Sequence, residues 1–337
     1  MVGLVTRFAP SPTGPLHLGH AYSAIVAHDM ARAAGGQFLL RIEDIDRSRC
    51  RAEWEAQIYD DLRWLGLTWA TPVMQQSTRL PAYQPALDGL WARGLLYACT
   101  CTRRDIEAAL TAPQEGATLP IGPDGLIYPG TCRPTGDSTP DTPPPTQAAL
   151  RLNIQRALQS CTTDALSFTE TGAAHRGLVT TDARHYRDLI GDIVLARRDM
   201  GTSYHLSVVL DDAAQGVTHV VRGEDLFDAT RIHVLLQCLM GLPTPVYHHH
   251  RLIRDAAGKR LAKRDDARAL SKYRAEGATP DDIRRAAGYE RPNLIFISAP
   301  CLPADGQVIT DKGHRAISNI RAGDMVLTHK GRMHPVT

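Results

Sequence analysis

Two histidines three positions apart, His17 and His20, close the string RFAPSPTGPLHLGH over residues 7–20. If a helix begins here, that spacing sets both imidazoles on one face. At a helix N-terminus the unpaired N–H groups and the positive dipole end favour phosphate, and imidazoles there add donors as negative charge develops. Gly19, between them, leaves room for a flat base to approach the backbone. Cys99, Cys101 and Cys132, in CTC and YPGTC, offer three thiolates that can take tetrahedral positions on zinc, with Tyr128 a possible fourth donor. Such a clip would be structural, and buried free cysteine is the competing reading. The basic run KRLAKR over residues 259–264 suits either a phosphate-neutralising loop or a solvated surface. His248, His249 and His250 are adjacent, and three neighbours on a strand do not easily converge on one ion. A nucleotide-facing strand end is therefore preferred there to a metal site.

These groups need a scaffold, and the patterning supplies one. Residues 2–8 form an apolar strand, prolines and glycine interrupt residues 10–15, and an apolar-periodic helix runs from 16 to 34. A second strand, QFLLRIEDI over 37–45, completes a βαβ unit whose parallel strands put the ligand at their carboxyl ends. Residues 52–65 and 83–93 read as amphipathic helices stopped at Gly66 and Gly94, and 133–146 as a proline-rich connector. Beyond it, strands are expected over 150–154 and 167–177, then strand, turn and strand over 206–212 and 216–223, with a helix over 228–240. The expected organisation is α/β: two halves of a nucleotide-binding fold over 1–98 and 182–269, an inserted α+β subdomain over 99–181, a short helical end over 270–300 and a tail over 301–337.

With 43% hydrophobic and 22% charged residues in 337, the composition is that of an ordinary globular protein of one large or two smaller domains. No uncharged run is long enough to cross a bilayer and residues 1–6 lack a signal-peptide pattern, so the cytoplasm and no membrane partner are expected. A net charge of +2 confines any nucleic-acid contact to local patches, such as Arg103, Arg104, Arg197 and Arg198. Seven irregularly spaced cysteines do not suggest a disulfide framework.

Residues 7–20 resemble the ATP-binding signature of class I aminoacyl-tRNA synthetases, and the whole string is similar to the glutamyl branch. The resemblance implies a Rossmann-like parallel sheet and a glutamate site made of Arg7, Phe8, Ala9, Pro10, Ser11, Glu43, Tyr204 and Arg222. Arg forks suit the two carboxylates of that substrate, Glu43 its ammonium, and the Tyr204 hydroxyl completes the set. It further implies ATP contacts from His17, Gly19, His20, Arg260, Leu261 and Lys263, with His17, His20 and Lys263 catalytic and Mg²⁺ accompanying ATP. Arg260 and Ala262 stand where lysine and serine are usual in the family's second signature, which keeps charge and loses a hydroxyl. The cysteine pattern resembles that of glutamyl-queuosine tRNA(Asp) synthetases, where C-x-C and Y-x-x-x-C hold one structural zinc. That short family has no anticodon-binding region, and little follows the lysine loop here. The implied reaction is therefore activation of L-glutamate and its transfer to queuosine in the anticodon loop of tRNA(Asp), by a monomer. A catalytic fragment of a glutamyl-tRNA synthetase and a non-catalytic RNA- or amino-acid-binding paralogue are the rivals. From Cys301 the tail resembles the first segment of a Hedgehog/intein-type self-processing domain, without that domain's later catalytic residues; a short hairpin appendage is the plainer expectation.

Overall fold

Strand β1 (Val5–Phe8) is buried at every position, and everything that faces the cavity described below is arranged around its carboxyl end. In the computed structural model the described residues are 3–111, 119–136, 142–161, 165–253, 268–289 and four short strands of the C-terminal segment. Helix α1 (Leu18–Ala33) follows β1, and β2 (Gln37–Ile42) pairs parallel to it with Arg7 opposite Leu39. Helix α2 (Ala52–Trp64) leads to β3 (Ala70–Gln75), parallel to β2. After α3 (Leu80–Ala92) come β4 (Leu96–Cys99), α4 (Arg103–Thr111), the β5–β6 hairpin (Ile121–Gly122, Gly125–Leu126), β7 (Ala149–Leu152) and α5 (Ile154–Ser160). Strands β8 (Ala165–Glu170) and β9 (Gly177–Asp182) precede α6 (Ala183–His185), which continues as a π turn (Tyr186–Ile190), and then β10 (Val194–Ala196). The remainder of this unit is α7 (Tyr204–Ala214), β11 (His219–Gly223), α8 (Ala229–Met240), β12 (Val246–His250), α9 (Leu270–Ala275) and α10 (Pro280–Ala286).

Strand order is β1-β2-β3 in one sheet and β11-β12-β8-β9 in another, with β11, β12 and β8 parallel. The two meet at β1 and β11, where Thr218 N–H donates to the Val5 carbonyl at 3.0 Å and Val5 N–H to Thr218 Oγ1 at 2.8 Å. The chain thus leaves β1 in one direction and returns beside it some two hundred residues later, the crossover geometry at which open α/β sheets bind ligands. A third sheet, β10-β7-β4, is antiparallel. Strand β8, N-terminal to the boundary expected at residue 182, pairs with β12 and carries β9 on its other edge.

Residues 206–212 are helical in α7, not the expected strand. Their β-branched, apolar run is of strand length, but Ser203 caps a helix there by accepting from Leu206 N–H at 3.4 Å. The element is buried on nearly all sides, so no amphipathic period is visible. The strand expected over 167–177 ends at Glu170, whose carboxylate accepts from Gly172 N–H at 2.6 Å as the chain turns back into β9. Among the described residues no helix is long and apolar enough to cross a membrane.

Asn293–Thr337 is a separate unit. Its strands β13 (Gln307–Thr310), β14 (Gly313–Ala316), β15 (Met325–Leu327) and β16 (Met333–Pro335) form an antiparallel sheet in the order β14-β13-β15-β16. Thr310 faces Gly313 in register, in keeping with the expected hairpin. Cys301 lies outside the described residues.

Candidate active site

The proline-glycine string is tied to the end of β2, since Pro10 and Pro12 carbonyls accept from Glu43 and Arg51 N–H groups, each at 3.0 Å. His17 is the N-cap of α1. Its Nδ1 accepts from Gly19 N–H at 3.1 Å, and its own N–H donates to His20 Nδ1 at 3.2 Å. This reciprocal box has histidine on both sides, and the rings lie 3.8 Å apart. Because both Nδ1 atoms accept, each neutral ring carries its proton on Nε2. Gly19 lines the cavity described below, and a Cβ there would lie 3.0 Å from the His17 ring. His17→Asn keeps an oxygen able to cap the helix but removes the ring donor. Stability in urea unfolding should hold within about 0.5 kcal/mol.

Behind the strand ends, four charged side chains form a row, Arg7, Asp212, Arg41 and Glu43, of which the first three are buried. Arg7 holds Asp212 with two bonds, Nε to Oδ1 at 3.0 Å and Nη2 to Oδ2 at 3.3 Å. Arg41, 0% exposed, donates to the same Asp212 Oδ1 at 2.6 Å and to Glu43 Oε1 at 3.2 Å. Burial opposes ionisation of Asp212, yet Arg7 and Arg41 together hold its carboxyl below the ordinary range. For Glu43 burial prevails and pushes the carboxyl up, with Arg41 and Arg7 opposing. Neither Asp212 nor Arg41 was anticipated from sequence. The signal that could have found them is a charge set into an apolar strand, QFLLRI, and two at the end of SVVLDD, since buried charges demand partners.

Arg222, on β11, is held differently. Nε donates to His249 Nε2 at 3.1 Å, Nη1 meets His233 Nδ1 at 3.1 Å, and Nη2 donates to Thr230 Oγ1 at 2.7 Å. His249 Nδ1 in turn bonds Glu170. Burial, with the neighbouring Arg222 cation, keeps His233 well below the ordinary histidine range and therefore neutral. Burial likewise lowers His249, against the pull of Glu170. Among the described residues no carboxylate touches Arg222, so its charge is the one least neutralised by its contacts.

One cavity of about 620 Å³ brings these parts together. Arg7, Phe8, Ala9, Pro10, Ser11 and Glu43 line it, as do Tyr204 and Arg222 and, on the signature turn, His17, Gly19 and His20. Tyr204 enters from the first turn of α7. The three consecutive histidines diverge: His248 meets Thr171 at 2.9 Å, His249 faces Arg222, and His250 Nε2 meets Ser23 Oγ at 2.5 Å on the cavity wall. Burial pushes His250 down to about 4. Arg260, Leu261 and Lys263 lie outside the described residues. Among the described residues that flank them, Ile253 lines the cavity and Leu270 N–H donates to the Leu16 carbonyl at 2.8 Å. Arg197 is also on the rim, and Arg103 and Arg104 are exposed on α4 away from the lining.

The second group is the cysteine cluster. The sulfurs of Cys99, Cys101 and Cys132 lie within 4.8 Å of one another. The Tyr128 hydroxyl is 3.5 Å from Cys99 Sγ and 3.4 Å from Cys101 Sγ. Ligands about 2.3 Å from a tetrahedral zinc stand roughly 3.8 Å apart, so the donor set fits that ion. A hydrogen bond with Tyr128 draws the Cys132 thiol down to about 7, toward the thiolate a metal needs, while burial raises the Tyr128 hydroxyl. The Arg151 guanidinium, 3.9 Å above the Tyr128 ring, favours an electron-rich phenol. Cys161 and Cys238 lie elsewhere, where the Cys238 thiol donates to Cys161 Sγ at 2.7 Å.

Residues 3–288 match the family described as tRNA synthetases class I (E and Q), catalytic domain. A glutamyl-Q tRNA(Asp) synthetase from Rhodobacter capsulatus is 67% identical over 285 residues, covering 85% of this chain and 100% of that protein. The chain belongs to the glutamyl-Q tRNA(Asp) synthetase family. A second member, from Nocardia farcinica, is 42% identical over 322 residues, with 93% of this chain and 95% of the relative covered. The fold is that of class I synthetases: a glutamate tRNA ligase from Elizabethkingia meningosepticum, solved with its amino acid, superposes with a TM-score of 0.64 at 26% identity. That match takes in 85% of this chain but 60% of the ligase, so the chain spans about three-fifths of that ligase's length.

Proposed function

We propose that this chain activates L-glutamate with ATP and transfers it to queuosine in tRNA(Asp). The observation that carries the reading is the match across the full length of the Rhodobacter capsulatus relative. The cavity supplies chemistry that suits it. Glutamate brings two carboxylates and an ammonium. Arg222, with only neutral groups in contact, is suited to one carboxylate, Arg7 and Tyr204 border the same space, and Glu43 is the anion for the ammonium. An ammonium beside Glu43 would also offset the burial that raises its carboxyl.

In the first step the α-carboxylate of glutamate attacks the α-phosphorus of ATP, and pyrophosphate leaves. The Nε2–H groups of His17 and His20, with the N-terminus of α1, donate to the phosphates as charge develops. In this reading Lys263 and Arg260 neutralise the pyrophosphate, and Mg²⁺ accompanies ATP. In the second step a hydroxyl of queuosine attacks the activated carbonyl and AMP leaves. Pyrophosphate exchange with glutamate and ATP in the absence of tRNA tests the first step. Glutamate transfer to queuosine-containing, but not queuosine-free, tRNA(Asp) tests the second. Charging of the 3′ end of tRNA(Glu) would overturn the acceptor assignment, and absence of exchange would make the chain a binding protein.

Cys99, Cys101, Cys132 and Tyr128 hold one structural zinc in this reading. The purified protein should then contain about one zinc per chain. Cys132→Ser should lose it and lower the melting temperature, with release measured by a chromogenic chelator; a metal-free wild type of unchanged stability would refute the assignment.

A further inference from the structure

The contact between Arg222 Nη1 and His233 continues away from the cavity. His233 Nε2 lies 3.1 Å from His205 Nδ1, and His205 Nε2 lies 3.1 Å from Asp124 Oδ1. The two ends of this row fix the protons in it. A guanidinium only donates and an ionised carboxylate only accepts. His233 must therefore accept at Nδ1 and donate from Nε2, and His205 must accept at Nδ1 and donate from Nε2 to Asp124. Any other tautomer places two donors or two acceptors face to face at some point in the row. Both histidines are buried, while the Asp124 side chain is 43% exposed.

Asp124 belongs to neither half of the nucleotide fold. It sits in the turn of the β5–β6 hairpin, four residues before Tyr128 of the cysteine cluster. The hairpin is seated closely: a Cβ on Gly122 would lie 2.5 Å from the Leu189 carbonyl oxygen. The inserted segment is thereby joined to the guanidinium that faces the cavity.

We propose that Asp124 is a positioning residue for glutamate: through His205 and His233 it fixes the orientation of the Arg222 guanidinium, so the inserted hairpin sets how well the cavity holds a carboxylate. The inference rests on the glutamate reading of that cavity. Outer partners that orient metal-ligating imidazoles are commonly worth ten-fold or more, and the row here orients a guanidinium in the same way. Asp124→Ala should therefore raise KM for glutamate about tenfold, with kcat and KM for ATP nearly unchanged. Asp124→Asn, which retains an oxygen able to accept from His205, should recover most of the difference. In ¹⁵N spectra of histidine-labelled protein, His233 should show one tautomer, with Nδ1 bare and Nε2 protonated, in the wild type and in Asp124→Asn, and a tautomer mixture in Asp124→Ala. Unchanged KM with unchanged tautomers in Asp124→Ala would overturn the proposal. So would a loss spread equally over kcat and both KM values with a lowered melting temperature, which marks a merely structural role. If the wild type fails to exchange pyrophosphate with glutamate, the substrate reading falls, and the histidine spectra alone decide whether Asp124 governs the relay.

Discussion

Replacing Arg222 by alanine should lower kcat/KM for glutamate in pyrophosphate exchange by about 10²–10³-fold while KM for ATP stays within a few-fold. The magnitude follows from removing the guanidinium from the buried charge pair it would form with a substrate carboxylate, which costs roughly 2–5 kcal/mol. The selectivity follows from position. Arg222 projects from the end of β11 into the part of the cavity bordered by Tyr204 and Arg7, and the signature turn with His17 and His20 belongs to a different element. Arg222→Lys should fall between the two, because an ammonium keeps the charge but cannot reach His249, His233 and Thr230 at once. Equal losses for glutamate and ATP in Arg222→Ala would show that this residue supports the fold rather than the amino-acid pocket.

Asp212→Asn should cost about 3–5 kcal/mol of stability, because it leaves two buried guanidiniums, Arg7 and Arg41, sharing one remaining carboxylate. Urea unfolding at neutral pH reads this directly, and its pH dependence has a defined sign. The Asp212 carboxyl is held below its unfolded value, so its contribution is present in full above about pH 4 and is lost as pH falls through the lower folded value. The gap between wild type and variant should therefore narrow on acidification. A gap that widens would mean that the carboxylate is not the partner of these arginines. Activity should fall as well, since Arg7 loses the fork that aims it.

Much of the site was legible because it is written in contiguous residues or at strand ends. The histidine pair, the proline-glycine turn and the βαβ pattern are local, and local chemistry decides how a chain enters a helix. Arg7, Glu43, Tyr204 and Arg222 were expected together only through the family resemblance, and the fold brings them to one cavity. What sequence did not disclose is the layer behind them. Asp212, Arg41, Glu170, His233 and His249 come from five different elements and share no spacing. Each is an ordinary polar residue until the fold denies it water and forces it to find a partner. Helix α7 was misread for a related reason. Its valines and leucine favour either structure, and the choice fell to a serine cap and to packing on both sides.

The seam between β1 and β11 carries a consequence for biosynthesis. Val5 and Thr218 are separated by 213 positions, and the cavity lies across their junction. A nascent chain that has displayed the whole histidine signature still lacks the wall bearing Arg222, and contacts of this sequence separation form late and slowly. Completion of the pocket and completion of the fold are thus nearly the same event. Substrates that bind across the seam will act as a clamp on the finished protein, raising its resistance to unfolding with the logarithm of their concentration above Kd.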